Sequence, residues 1–91
     1  MIGSFVTSKS GHDKNRIYII IEENDDSVFL ADGEWKKLAA PKKKNRKHVQ
    51  PINQTCGDPL LTKLQQHETV YDEEIKRAIK LYRRNVCQNL M

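Results

Sequence analysis

The sequence predicts a mainly β protein with C-terminal helices: a small β-barrel of about five short strands followed by a helical extension. Short β-favouring runs alternate with turn-forming residues through residue 52. After Pro59, apolar residues recur at helical spacing instead. The chain has 91 residues, a length that suits one small domain with a modest core.

The first two predicted strands flank a polar loop. Phe5, Val6 and Thr7 favour β structure, and Ile17–Ile21 is the most β-prone run in the chain. The loop between them carries three cations, one histidine and one acid, namely Lys9, Lys14, Arg16, His12 and Asp13. We therefore expect the sheet to present a cationic loop, and loops on rigid scaffolds commonly carry function.

Three more strands are predicted before residue 53. Ser27–Ala31 follows a turn-forming cluster and pairs with the second strand as a hairpin. Asp32-Gly33 marks a tight turn before a short fourth strand at Glu34–Leu38. Pro41–Lys47 has no apolar residue after its proline and is predicted to be a surface loop. The last strand is predicted at His48–Ile52, with Val49 inward and Pro51 at a sheet edge.

The helical part begins after a linker. Residues 1–52 form the predicted barrel, 53–58 the linker and 59–91 the extension. Pro59 opens a short first helix, and Thr69 caps a longer second helix. The second helix has one apolar stripe, which predicts docking on the barrel or, as the alternative, contact with a partner protein. Its acids near the start argue against a membrane-surface helix.

The N-terminal strand, loop and strand resemble a KOW motif. The matching positions are Val6, Ser8, Gly11, Asp13, Lys14, Arg16 and the strand Ile17–Ile21. Asn15 departs from the pattern, which has a second glycine there. The whole chain resembles the small bacterial KOW-domain RNA-binding proteins that are related to a eukaryotic-type ribosomal protein of the large subunit. This resemblance implies an SH3-like barrel and RNA, ribosomal RNA first, as the partner.

Charge is concentrated in the middle of the chain. The net charge is +4, yet residues 36–57 hold seven Lys or Arg and no acid. We call residues 36–47, which contain all seven, the basic segment. Such a local positive field favours a polyanion, and the blander interpretation is a solvated loop that aids solubility. The cations alone would bind DNA nearly as well as RNA.

Aromatic and imidazole side chains adjoin these cations. Trp35 is predicted to stack on an unpaired base or, more ordinarily, to pack in the core. Tyr18 is predicted to face outward if its neighbours Ile17 and Ile19 face inward, which makes it a candidate for base stacking, with plain packing on the strand as an equal alternative. His12 and His48 are candidate contacts, with plain surface positions as the alternative. The predicted RNA-binding residues are Lys9, Gly11, His12, Lys14, Arg16, Trp35, Lys36, Lys37, Lys42, Lys43, Lys44, Arg46, Lys47 and His48.

Other functional classes have little support in the sequence. The acids lie in predicted turns or at a helix start, and no nucleophile and base are paired, so we expect no catalysis and no small-molecule substrate. Cys56 and Cys87 lack metal-ligand spacing, so neither a metal nor a cofactor is expected, while a disulfide stays open. No apolar run is long enough to span a bilayer, and the cytoplasm is the expected compartment.

The basic loops therefore predict a protein that binds a phosphate backbone. The resemblance implies that the partner is RNA, with double-helical or folded ribosomal RNA as the main candidate, and that the protein is ribosomal or associated with the ribosome. The alternative is a protein-interaction module in transcription or translation that uses the barrel and the C-terminal helix. Its partners would be ribosomal or transcription proteins. Whether the protein is a permanent ribosomal component or a transient factor stays open.

Overall fold

The computed structural model describes residues 1–8 and 16–89, the last four of them without their side chains. Five strands come first: β1 (Ser4–Ser8), β2 (Ile17–Glu23), β3 (Ser27–Ala31), β4 (Lys42–Asn45) and β5 (Val49–Thr55). A 3₁₀ helix, Arg46–His48, joins β4 to β5. Two helices, α1 (Leu60–Gln65) and α2 (Asp72–Asn89), complete the fold. The predicted fold class, mainly β with C-terminal helices, is confirmed.

The five strands form one antiparallel sheet in the order β4-β3-β2-β1-β5. β1 pairs with β2 on one side and with β5 on the other, so the last strand lies beside the first. The described strands β4 and β5 end the sheet and do not pair with each other. The sheet is therefore open, and the closed barrel predicted from the sequence is not confirmed.

Both faces of this sheet bury apolar side chains. One face carries Phe5, Ile19 and Ala31, which pack with residues of α1 and α2 in what we call the helix-side cluster; its helical members are Leu60, Leu64, Ile75 and Ile79. The other face carries the inner cluster, Val6, Tyr18, Ile20, Val28, Leu30 and Val49. No described helix belongs to the inner cluster, although each of its six residues is at most 2% exposed.

Tyr18 corrects the prediction that it faces outward. Only 1% of it is exposed, although Ile19, its neighbour on the opposite face, is fully buried as well. The alternation of side chains along β2 holds, but the face that we expected to be solvated is buried as well. Burial also raises the pKa of the Tyr18 hydroxyl, with Asp32 adding to the rise.

The fourth strand lies elsewhere than the sequence predicts. Residues 34–38 form turns and bends, and the predicted surface loop supplies β4 instead. β4 has no apolar residue, but its backbone pairs with β3 along the register Ser27↔Asn45 to Leu30↔Lys42. Lysine is common on edge strands because its charge discourages pairing with a further chain. The position of these residues at the sheet edge therefore determines this strand. The pattern of apolar residues in the sequence does not reveal that position.

The helical part follows the prediction with shifted boundaries. β5 continues to Thr55, so the connection to α1 is shorter than the predicted 53–58 linker. α1 begins directly after Pro59, as expected. α2 begins at Asp72 rather than near Thr69, and Glu74 Oε2 accepts the Tyr71 backbone N–H at 2.9 Å in place of a threonine cap.

The predicted docking of the longer helix is confirmed. Ile75 and Ile79 of α2 are buried in the helix-side cluster, and the Tyr82 ring stacks on Phe5 of β1 with centroids 4.6 Å apart. Lys63 of α1 also forms an ion pair with Glu74 of α2 at 2.8 Å. These contacts fix α2 across one face of the sheet.

Candidate nucleic-acid interface

Three of the seven cations of the basic segment are exposed at or near one edge of the sheet. Lys37 precedes β4, Lys43 lies within it, and Lys47 lies in the 3₁₀ helix that follows, all three exposed. Among the described residues no carboxylate lies within 4.0 Å of these three ammonium groups. Their charge is therefore available to a polyanion. His48 is exposed beside them, at the end of the 3₁₀ helix.

Two lysines of the basic segment lie on the same face of the sheet as the inner cluster. Lys42 and Lys44 pair with Leu30 and Val28, which belong to the inner cluster, and cross-strand partners share a face. Both are half-buried, and Lys44 Nζ donates to Ser8 Oγ on β1 at 2.7 Å. Burial, with a smaller effect of Lys44, lowers the pKa of Lys42. Both side chains therefore start on the face of the inner cluster, and the Lys44 ammonium group ends at the buried Ser8.

Arg46 is engaged within the protein. Its guanidinium donates to the Asn24 carbonyl from Nε at 3.0 Å and from Nη2 at 2.6 Å. Nη2 also lies 3.6 Å from Glu23 Oε1. This bidentate contact ties the 3₁₀ helix to the β2–β3 turn. The sequence predicts that Arg46 binds RNA, but the structure gives it a bracing position and leaves less of its charge available.

Trp35 projects from a compact turn where the sequence predicts a strand. Asp32 Oδ1 accepts the backbone N–H groups of Glu34 at 2.9 Å and Lys36 at 2.8 Å, and Gly33 adopts a φ of +78°. An Asp side chain that captures backbone donors in this way competes with strand pairing. The result is that 68% of Trp35 is exposed, and its alternative role in the core is wrong. Lys36 is half-buried within the same turn.

Arg16, the residue that precedes β2, lies against Trp35. Its guanidinium carbon lies 4.8 Å from the centre of the indole ring, within the range of a cation–π contact. Arg16 is the one member of the predicted first-loop set within the described residues. The other members, Lys9, Gly11, His12 and Lys14, lie outside them.

A groove beside Trp35 is not among the sites predicted from the sequence. It has a volume of about 500 Å³ and lies between the Asp32–Lys36 turn and α2. Helix α2 contributes three cations to its wall: Lys76, Lys80 and Arg83. Their spacing of four and three residues, which places them on one helical face, is readable in the sequence. That this face meets Trp35 depends on how α2 docks, which the sequence does not specify. We call this the Trp35 groove.

The described residues offer little for other chemistry. No group of three or more His, Cys, Asp or Glu among them is close enough to hold a metal ion. The Cys56 thiol is unpaired, and burial raises its pKa to about 11, so at neutral pH it is a poor nucleophile. Within the same part of the chain no helix has both the length and the apolar character needed to cross a bilayer.

Comparison with known proteins adds no relative. No family model matches the chain, and no curated protein is significantly similar to it. The interface therefore rests on the residues and their arrangement.

Proposed function

We propose that the protein binds RNA, and that the phosphate backbone lies along the β4 edge of the sheet. The observation that carries this proposal is the set of exposed lysines there, Lys37, Lys43 and Lys47, without a carboxylate partner among the described residues. Exposed cations without a carboxylate partner raise the local concentration of a polyanion and contact phosphates without reading sequence.

The choice of RNA has two supports. The N-terminal residues resemble the KOW motif of RNA-binding ribosomal proteins, which makes ribosomal RNA the first candidate. In addition, the exposed Trp35 with Arg16 over its ring is the kind of aromatic platform that unpaired RNA bases stack on. A DNA duplex offers phosphates but no unpaired bases.

The alternative role in protein interaction has less support. It requires an apolar helix face that is free to meet a partner, whereas Ile75 and Ile79 of α2 are buried against the sheet. Leu81 is 47% exposed, but isolated exposed apolar residues are ordinary on protein surfaces.

The test is a salt titration of binding to ribosomal RNA and to a length-matched DNA duplex. The variant is Lys43→Ala with Lys47→Ala, because both side chains are exposed, whereas Lys42 and Lys44 cover the core. Wild type should prefer RNA and lose affinity steeply with salt. The variant should bind more weakly, with a log–log slope smaller by about 0.7 to 0.9 for each phosphate that it no longer neutralises.

The matched control is Arg77→Ala with Arg84→Ala. This variant removes the same charge from an exposed face of α2. Equal reductions of affinity in the two variants would mean that net charge alone matters, and the β4 edge would then not be the binding surface. Failure of wild type to bind either nucleic acid near physiological salt would overturn RNA binding itself.

A further inference from the structure

We propose that the Trp35 groove is a separate subsite for one unpaired nucleotide of the bound RNA. The base stacks on Trp35, and the adjoining phosphates contact the cations of α2. This inference rests on the proposed RNA binding but concerns a different surface, since the groove is lined by α2 and the Asp32–Lys36 turn and not by β4.

The aromatic platform is open to a ligand. Trp35 leaves 68% of its surface exposed, which no packing requirement of the fold explains. Arg16 lies over the ring at 4.8 Å and so covers only part of it. Base–aromatic stacking with an arginine nearby is the usual arrangement in proteins that bind single strands. The size of the groove, about 500 Å³, falls within the range of roughly 300–1,000 Å³ that small organic ligands occupy.

The two walls of the groove are held together. The Leu38 backbone N–H donates to Asp72 Oδ1 of α2 at 2.7 Å, which ties the chain after Trp35 to the start of the helix. Gly33 packs so closely on α2 that a Cβ there would overlap the Asp72 carbonyl oxygen. The Asp32 side chain holds the turn itself through two backbone N–H groups. A nucleotide would therefore meet a formed site and not have to assemble one.

The charges in the groove favour an anion. Four cations, Arg16, Lys76, Lys80 and Arg83, face two acids, Asp32 and Glu34. Lys76 lies 3.9 Å from Glu34, and Asp32 is occupied by the turn, so both acids have internal partners. Among the described residues, Lys80 and Arg83 have no carboxylate within 4.0 Å. The three helical cations span about 10 Å along the α2 axis, enough to follow a short stretch of phosphates.

The combination of an aromatic platform with several cations favours a nucleotide over other anions. An acidic peptide would use the cations but would leave the tryptophan platform unexplained. A free nucleoside monophosphate has the same chemistry as one nucleotide of an RNA, so the test must separate these two sources. We assign the groove to a nucleotide within RNA, because the Asp32–Lys36 turn directly follows β3, and β3 pairs with β4, whose exposed lysine would contact the rest of the RNA strand.

The experiment measures three ligands by their effect on the fluorescence of Trp35, the one tryptophan of the chain. The ligands are a short single-stranded RNA, a blunt duplex RNA of equal length and adenosine monophosphate. The single strand should quench the fluorescence because a base stacks on the indole. The duplex should bind with little quenching, and the monophosphate should bind far more weakly than the strand. Equal quenching by the duplex and the strand would overturn the subsite.

Two variants then assign the contacts, with binding followed by the anisotropy of labelled RNA. Trp35→Leu should weaken single-strand binding roughly 5- to 150-fold, the equivalent of about 1–3 kcal/mol for a stacked base, and leave duplex binding unchanged. Lys80→Ala with Arg83→Ala should weaken single-strand binding more than the control Arg77→Ala with Arg84→Ala. Wild-type affinity of Trp35→Leu for the single strand would overturn the proposal. So would displacement of the strand by a polyglutamate peptide at equal charge concentration.

Failure of this inference and failure of the proposed function give different results. If Lys43→Ala with Lys47→Ala weakens all RNA binding while Trp35→Leu changes nothing, the β4 edge is the interface and the groove is not a subsite. If Trp35→Leu weakens single-strand binding while the β4 variant matches its control, the groove binds RNA and the β4 edge does not. If the protein binds neither the single-stranded RNA nor the duplex RNA, both proposals are wrong.

Discussion

Trp35 and Arg46 show that the capacity of a side chain to contact a ligand depends more on its exposure and its internal partners than on its residue type. Trp35 lies beside the basic segment in sequence, and the Asp32 turn places it in solvent with Arg16 over its ring. Arg46 lies within the basic segment, but its guanidinium is bound to the Asn24 carbonyl and faces Glu23. A count of cations treats Arg46 and Lys43 alike, whereas of these two the structure leaves only Lys43 exposed.

The exposure of Trp35 leads to a stability prediction. Trp35→Ala should lower the free energy of unfolding by less than about 1 kcal/mol, the value of a partly exposed cation–π contact. A buried tryptophan would cost about 3–5 kcal/mol. The measurement is urea unfolding followed by far-ultraviolet circular dichroism. Leu30→Ala is the control: Leu30 is fully buried, and its truncation should cost about 2–5 kcal/mol. Similar destabilisation of both variants would contradict the exposed position of Trp35.

The elements were predictable where the pattern is local. β1, β2 and β3 follow runs of β-favouring residues, and the apolar stripe of α2 indicates its buried face, whereas only the first part of β5 was predicted. β4 was not predictable in this way, because its sequence, Lys-Lys-Lys-Asn, is wholly polar and its pairing with β3 comes from tertiary position. The Trp35 groove was unpredictable for the same reason: its two walls are distant in sequence.

The contact of the Asp32–Lys36 turn with α2 leads to a prediction at two glycines. Gly33 and Gly57 have nearly the same left-handed backbone, with φ of +78° and +76°. An alanine at either position carries the backbone penalty of about 1–2 kcal/mol. At Gly33 the added Cβ would also overlap α2, whereas at Gly57 nothing lies within 4 Å. Gly33→Ala should therefore destabilise the protein more than Gly57→Ala, by about 1–3 kcal/mol, the usual cost of overpacking.

Urea unfolding of the two glycine variants side by side provides the measurement. Because the backbone penalty is common to both variants, the difference between them reports the contact with α2. Equal destabilisation would show that the turn does not rest on the helix, and the groove would then lack one of its supports.

At the scale of the whole molecule, sheet and helices form one structure with two apolar clusters. The helix-side cluster requires α1 and α2, so the sheet cannot exclude water from that face without them. The uneven charge of the chain predicted a basic surface, and the exposed lysines at the β4 edge agree with that. The closed barrel could not be settled from sequence, because closure depends on how far the sheet curves and not on which residues favour strands.

The ion pair between α1 and α2 makes the stability of the molecule pH-dependent. The hydrogen bond from Lys63, and then that from the Tyr71 backbone, lower the pKa of Glu74. A carboxyl with a lowered pKa stabilises the fold fully above its unfolded value and loses that effect as the pH falls through its folded value. Glu74→Gln should therefore lower the Tm at pH 7, and the difference from wild type should disappear in acid, below the folded pKa.

Thermal unfolding between pH 7 and pH 3 checks this prediction. The control is Glu73→Gln, which removes an equal charge from the same first turn of α2 at an exposed position. Both variants lose the same interaction with the helix dipole, so a larger effect in Glu74→Gln isolates the link between the helices. A Tm difference that persists unchanged at pH 3 would contradict the role of the charge.

The position of Lys42 and Lys44 over the inner cluster has a consequence for chemical modification. Acetylation removes the charge of a lysine but keeps its aliphatic stem. At Lys43 or Lys47 such a change would alter only the electrostatic field outside the protein. At Lys44 it would also disturb the bond to Ser8 that links the edge strand to β1 over the apolar interior. Acetylation of Lys43 would thus change only the charge that the protein presents to solvent, whereas acetylation of its neighbour Lys44 would also disturb contacts inside the protein.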